Sequence, residues 1–490
     1  MLSLILPVVL PLLAAFLVMP LARMSALIAR ALGPIVLTTS LVLLLPCCLD
    51  PPAQPLVLAI GNFAPPLGIV FYGDRLALLF ANAVALFFLL FWDWRGGNPQ
   101  QARQDALMLL LAASATGLAL SGDLFNLYVF YELAAVASFG LVSLSGTGPA
   151  LVATVRYLLV SAFGSVLALA GIALLYLQTG TLNLAQLGID PEPLQGPAGL
   201  LAFGLMVLGF GVKAELFPLN YWVPEVYASA PARISALLAG LISKLAVLIL
   251  LRLLVLVYGD TAAPQLLLFL GILTILFGEF SAWRAQDFPR MIAFSSIGQL
   301  GMVFIAFSLS GSWGVLAGIA VALHHLLVKS ALFGLAHRWS GSLQALTGSA
   351  QRTPLAAALF VLFALSLIGV PPLPGFWTKI LVLAGLAQEG SALAFTGLGA
   401  ILLVTAVEAH YLFRFALQLY EKVEEAPAGF RSFWELLPSL LLGAALLVVT
   451  LQINPVADRL RAITRQAADR SFYIAQVYPE AASTGVSTRP

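Results

Sequence analysis

Charge is scarce in this chain. Only 9% of its 490 residues are Asp, Glu, Lys or Arg, against about 25% in an ordinary soluble protein. Cysteine is scarcer: Cys47 and Cys48 stand side by side, too few and too close for a metal or cluster framework. A Gly-rich phosphate loop, a CxxC pair and a haem-attachment motif are all absent. A redox or nucleotide-hydrolysing activity of its own would need a cofactor site that the sequence does not contain. No cofactor, no resident metal and no nucleic-acid partner are expected, and a net charge of +2 selects no partner.

What the chain has is apolar length. Hydrophobic residues make up 61%, and runs near 20 residues recur, each able to cross a hydrocarbon core of about 30 Å. The spans fall at 2–22, 28–48, 75–93, 105–121, 124–144, 152–177, 199–217, 233–257, 264–282, 291–310, 313–336, 354–387, 391–417 and 434–452. The sequence thus predicts an all-α polytopic membrane protein of about 14 crossings, with the seventh and twelfth spans interrupted. The first run has no basic residue ahead of it and no small-residue cleavage site, so it reads as a retained span. No soluble domain interrupts the series. In the longest loop, 49–74, "PLVLAI" and "GIVFY" flank a Pro-Pro turn and predict a small extracellular hairpin.

Charge placement orients the chain. One set of loops holds Arg23, Arg30, Arg95, Arg103, Arg233, Arg284, Arg290, Arg338, Arg352, Arg414, Lys422 and Arg431. The opposite set, before the tail, holds Arg75 with Asp50, Asp190, Glu192, Asp260 and Glu389. The positive-inside rule puts the first set in the cytoplasm and both termini outside. Arg459, Arg461, Arg465, Arg470 and Arg489 in the tail dissent mildly; the first four lie in "NPVADRLRAITRQAADR", an amphipathic stretch suited to lying along a surface.

Six of the 24 basic residues remain within spans: Arg156, Lys213, Lys244, Arg252, Lys329 and Lys379. Arg156 and Arg252 lie toward span ends, where a long side chain can snorkel. The four lysines do not, and each costs about 2.5 kcal/mol or more at mid-bilayer. They need a partner or a wetted path. Glu132 in span 5 is the obvious acid for Lys213, expected within about 4–8 Å, directly or through one water. Held close, the pair stays charged; drawn apart, the desolvated ammonium can release its proton, so a pair of changing distance is a proton switch. A static ion pair tying two helices is the other reading. His324, His325 and Lys329 share span 11, with His325 and Lys329 four apart on one face. They suit proton relay, although an intramembrane histidine can also just bond two helices. Zinc fits poorly, because no carboxylate or thiol accompanies them at ligand spacing.

Lysine and helix break coincide twice. In "GFGVKAELFPLNYWVPE", Pro218 lacks an N–H and crowds the carbonyl of Ala214, so the helix should open just after Lys213 and its freed carbonyls should solvate the ammonium. Lys379 follows "PPLPGFW" by the same logic. Proline-broken spans in two halves point to the ion path of a transporter. If spans 4–8 and 9–13 are repeats, an odd length of five inverts the second. The chain then divides into 1–104, 105–257, 264–417 and 418–490. Glu215 faces away from Lys213 and suits a place near the cytoplasmic mouth, its role open. Glu279 near a cytoplasmic end and Glu408 in span 13 read as isolated acids, and Glu408 with His410 is the first place to look for sodium.

The runs "KAELFPLNYWVPEVYASAPARISALLAGLISK", "SSIGQLGM", "HHLLVKSALF" and "GVPPLPGFWTK" together resemble the antiporter-like proton channel family. That family comprises the large membrane subunits of respiratory complex I and the A- and D-type subunits of multisubunit Mrp-type sodium/proton antiporters. Chain length, "DLFNLYVFYE" and the lysine at 379 look most like the D-type Mrp subunits. The resemblance covers roughly spans 4–13. It implies 14 helices with two inverted five-helix repeats. It also implies a path through Glu132, Lys213, Lys244, His325 with Lys329, and Lys379, with His324, Glu215, Arg156 and Glu408 as further candidates. Many members have His where this chain has Asn220, which leaves that link without a protonatable group. The chain also lacks the long lateral C-terminal helix of the largest complex I subunit. The resemblance further implies a bacterial inner-membrane location, partner membrane subunits, and protons and Na+ as the ions. Three functions stay open: the proton limb of a cation/proton antiporter, a pumping subunit of an NADH:quinone oxidoreductase or membrane-bound hydrogenase, and a non-conducting anchor. Only as part of a redox complex would the chain serve an enzyme.

Overall fold

The computed structural model describes residues 2–95 apart from 51, 53 and 67, then 100–336, 339, 341–424 and 433–479. Arg338, Arg431 and Arg489, used above for orientation, lie outside the described residues. Over these described residues the chain is helical with one small hairpin. In order it forms α1 (Leu2–Met24), α2 (Ala26–Leu49), β1 (Leu56–Ala59), β2 (Val70–Gly73), α3 (Arg75–Leu90), α4 (Gln101–Leu120), α5 (Leu124–Ser143) and α6 (Gly148–Thr179). There follow α7 (Leu184–Ile189), α8 (Pro197–Gly211), α9 (Val223–Ser229), α10 (Ala232–Leu237), α11 (Ser243–Leu253), α12 (Ala263–Arg284), α13 (Phe288–Phe307) and α14 (Gly311–Leu335). The chain closes with α15 (Pro354–Ile368), α16 (Pro374–Glu389), α17 (Ala392–Tyr420), α18 (Phe433–Leu451), α19 (Ile453–Ala467) and α20 (Arg470–Val477).

Among the described residues, 10 helical stretches are long and apolar enough to cross a membrane. α3 and α8 are apolar but shorter. The architecture is layered. The continuous α10–α11 stretch, α13 and α14 are buried along almost their whole length, whereas α2, α17 and α18 bury only one side. On α6 the outward face is a strip of Leu151, Val152, Val155, Leu159, Phe163 and Val166, the surface that lipid covers. Close backbone contact replaces the hydrophobic drive that water would supply. Between α12 and α13 this contact runs through glycines: a Cβ on Gly278 would lie 2.3 Å from the Gly298 nitrogen, and one on Gly301 would lie 2.5 Å from the Ile275 nitrogen.

Asp residues start two of the inner helices. Asp123 accepts a hydrogen bond from Asn126 N at 2.9 Å, and Asp287 one from Arg290 N at 2.9 Å, capping α5 and α13. The hairpin forms as expected, β1 and β2 pairing antiparallel with Val57 opposite Tyr72. α19 and α20 fold back on the protein, where Gln466 Oε1 accepts from Arg75 N at 2.9 Å and the Tyr473 ring meets Tyr72 with centroids 4.1 Å apart. The tail therefore shares a face with the hairpin. Arg252 does not snorkel. It is buried and paired with Asp74 at 2.6 Å, flanked by the rings of Tyr72 and Tyr473.

Candidate functional site

The two breaks hold the first and last lysines differently. α8 ends at Gly211, so Lys213 lies inside the break rather than at the end of the helix before it. The freed carbonyls are taken by side chains: Trp222 Nε1 donates to Val212 O at 3.3 Å and Asn220 Nδ2 to Glu215 O at 3.1 Å. They do not solvate the ammonium. Lys213 Nζ instead sits 3.2 Å above the Tyr131 ring, a cation–π contact, with Ser161 Oγ at 3.5 Å. Glu132, half-buried beside Tyr131, is the acid whose charge acts on Lys213, and its Oε1 has no hydrogen-bond partner. The second break follows the expected logic. α15 stops at Ile368, Gly369 turns with φ +89°, and the freed Ile368 carbonyl accepts from Lys379 Nζ at 3.1 Å. Lys379 also reaches Thr405 Oγ1 at 3.2 Å and pairs with Glu408 Oε2 at 2.8 Å.

A third irregularity was not legible in the sequence. Between α10 and α11 the backbone forms a π-helix over Leu238–Ile242, and Lys244 Nζ donates to the Ala239 carbonyl and, at 2.9 Å, to Ser243 Oγ. A π-bulge widens the turn and exposes a carbonyl without any proline, so no residue type announces it.

α13 and α14 supply the middle of the site. His325 and Lys329 turn to one neighbour, as their spacing requires: His325 Nε2 is 3.3 Å from Ser296 Oγ, and Lys329 Nζ donates to Ser295 Oγ at 2.5 Å. His324 points elsewhere, with Nε2 2.8 Å from Ser366 Oγ. Arg156 is exposed on α6 and is not brought to this interior.

The acids were underestimated. Glu215 is fully buried rather than at a cytoplasmic mouth. It accepts from the Tyr227 hydroxyl at 2.7 Å, and the charges of Lys244 and Lys329 act on it. Glu279 is buried too, accepts from Tyr411 at 2.8 Å, and feels Glu408, Lys329 and Lys379. The two acids read as isolated are thus electrostatic neighbours. Glu408 accepts from Gln299 Nε2 at 2.8 Å, while His410 is exposed against Trp283 and does not join it. Tyr157 on α6, stacked on Trp222 at 4.0 Å, feels both Glu132 and Glu215. The interior therefore holds Glu132, Glu215, Glu279 and Glu408 against Lys213, Lys244, Lys329 and Lys379. Each sign offsets the other, which reduces the cost of burying either alone. The sequence reading named all four acids but paired only Glu132 with a lysine. The missed signal was that Tyr131, Tyr157, Tyr227 and Tyr411 sit inside apolar runs, where a phenol needs a partner.

Broken and π-bulged helices enclosing matched lysines and carboxylates define a polytopic helical membrane protein with an ionisable interior. More particularly, the chain belongs to the NADH:quinone oxidoreductase/Mrp antiporter transmembrane family, the match running over residues 121–404. It is 32% identical over 438 residues to the D subunit of the Na(+)/H(+) antiporter of Alkalihalophilus pseudofirmus, covering 86% of this chain and 88% of that protein. Its fold superposes on a chain of the Mrp complex from Dietzia sp. DQ12-45-1b with TM-score 0.86 and 25% identity, over 97% of this chain and 99% of that one. A chain of the membrane-bound sulfane sulfur reductase, an archaeal respiratory membrane complex, superposes with TM-score 0.89 and 28% identity, over 97% and 99%.

Proposed function

We propose that this chain is the proton-translocating subunit of a multisubunit monovalent cation/proton antiporter in a bacterial cell membrane. Protons move between Glu132, Lys213, Lys244, His325, Lys329 and Lys379, with Glu408 as the partner of Lys379. The observation that carries this reading is the matched set of buried lysines and carboxylates, spread from one helix break to the other. Such groups exchange protons by small changes in distance. A non-conducting anchor would have no reason to bear that burial cost.

The finer architecture belongs to the same proposal. Besides the 10 long apolar stretches, α3, α4, α8 with α9, and α15 with α16 complete about 14 crossings. Spans 4–8 (105–257) and 9–13 (264–417) form two inverted repeats, preceded by 1–104 and followed by 418–490, with both termini outside. Support comes from the capping acids. Asp123 bridges Asn183 in the connection after span 6, and Asp287 bridges Ser342 in the connection after span 11, equivalent places in the two halves.

Cation exchange is assigned to a contact with partner subunits. The interior acids face ammonium groups, whereas sodium needs several oxygen ligands. The test is reconstitution: the complete complex in vesicles should exchange Na+ for H+, and the isolated chain should not. Robust sodium/proton exchange by the chain alone would overturn the assignment. The second reading, a pumping subunit of a redox complex, is favoured by the superposition on the archaeal respiratory complex. Copurification of iron–sulfur or quinone-binding subunits, in place of small antiporter subunits, would select it.

A further inference from the structure

Glu215 stands out among the buried groups. It is the one non-glycine residue with positive φ among the described residues, at +60°, a left-handed conformation that is strained and persists only where the surroundings enforce it. The enforcement is visible. Asn220 Nδ2 ties the Glu215 carbonyl at 3.1 Å and Tyr227 ties Oε1 at 2.7 Å. The second carboxylate oxygen, Oε2, is buried and has no hydrogen-bond partner. A buried, strained carboxylate with a free oxygen makes a poor structural element. Strain of this kind concentrates at functional sites.

Its neighbours indicate which function. Lys244 acts on the carboxylate most strongly among charged groups and Lys329 more weakly. Ser296 stands beside it and is itself 3.3 Å from His325 Nε2. Tyr157 feels the charges of both Glu215 and Glu132. By contrast, the charge acting on Lys213 is that of Glu132 alone, so the break separates a first pair from a central group. Asn220, which also lies in the break, is an amide and exchanges no proton.

We infer that Glu215 is a proton-carrying residue that joins the Glu132–Lys213 pair to the central lysines, taking and releasing a proton at Oε2. This inference rests on the proton-translocating reading above. When the Lys244 ammonium, held by Ala239 O and Ser243 Oγ, gives up a proton, the carboxylate takes it through a bridging water, leaving a neutral amine and a neutral acid. The proton then leaves Oε2 for the Ser296 hydroxyl, which passes its own proton to His325 Nε2; the reverse sequence runs equally. Tyr227 holds Oε1 throughout, so Oε2 keeps its aim.

The test uses the complete complex in vesicles and compares Glu215→Gln, Glu215→Asp and Lys244→Ala. Gln keeps the size and the Tyr227 contact but carries no proton, so transport should fall at least about tenfold, equivalent to about 1.4 kcal/mol in the limiting step. Asp should restore a measurable part of it. Infrared difference spectra of the native complex between acid and alkaline states should contain a protonated-carboxyl band that disappears in Glu215→Gln and shifts in Glu215→Asp. A static counter-charge would give no such band. Native transport in an assembled Glu215→Gln complex, with Lys244→Ala inactive, would overturn this inference and leave the proton path standing. Native transport in both would overturn the path itself. If Glu215→Gln does not assemble, the band in native complex and its shift in Glu215→Asp decide the matter, and an unshifted band refutes the inference.

Discussion

Glu408→Gln removes one charge from the lysine–carboxylate pair of the interior, where Lys379 Nζ and Glu408 Oε2 are 2.8 Å apart. At that separation two unit charges attract by about 6 kcal/mol at an effective dielectric of about 20. Most of this offsets desolvation, so the measurable loss is that of leaving one buried charge without its partner, about 3–5 kcal/mol. The surroundings recover part. The ammonium keeps Ile368 O at 3.1 Å and Thr405 Oγ1 at 3.2 Å, so it is not left bare, and hydrogen bonds to a charged group contribute about 1.5–3 kcal/mol each, net of desolvation. A net loss of about 2–3 kcal/mol is expected for Glu408→Gln. Lys379→Met should cost at least as much, because Glu408 then keeps only the Gln299 donor at 2.8 Å. The double variant buries no unpaired charge and should be more stable than the sum of single losses requires, by about 2 kcal/mol. The assay is thermal unfolding of the detergent-purified complex, read as a double-mutant cycle in the midpoint, with transport measured on the same preparations. If the two midpoint losses simply add, the residues are not coupled and the pair reasoning fails.

Lys244→Ala should abolish proton transport in a complex that still assembles, measured as pH change inside loaded vesicles; wild-type transport would remove Lys244 from the path. Arg252→Ala strips Asp74 of its partner and the Tyr72 and Tyr473 rings of their cation, a buried-pair loss of about 3–5 kcal/mol. The C-terminal helices should then become sensitive to protease, and unchanged resistance would show that the tail is held by other contacts. Gly278→Leu puts a side chain where Gly298 lies 2.3 Å from the nearest new atom, so α12 and α13 must part. The expected outcome is failure to assemble, read by copurification, and a normal yield of stable complex would contradict the close packing.

Sequence alone determined the class of this protein, because the cost of exposing apolar surface and of burying charge is additive along a chain. Runs of apolar residues had to become helices, since hydrocarbon offers no other partner for backbone N–H and C=O groups. The hairpin at 56–73 was legible from its strand-like runs and turn. So were the break before Lys379, from its prolines, and the shared face of His325 and Lys329, from their spacing. The partners of those charges were not legible. Glu215 lies two residues from Lys213 in sequence, in a left-handed conformation no pattern marks, yet the lysine charges acting on it are those of Lys244 and Lys329. Glu279 and Glu408 are far apart in sequence and feel each other's charge because α12 packs on α13 through glycines and α17 lies against both. Lys244 gains its carbonyl from a π-bulge with no marker in residue type. A single sequence records the cost of each buried charge. Which group offsets that cost is a property of distance, and distances between helices are set by the packing of side chains that no linear pattern specifies.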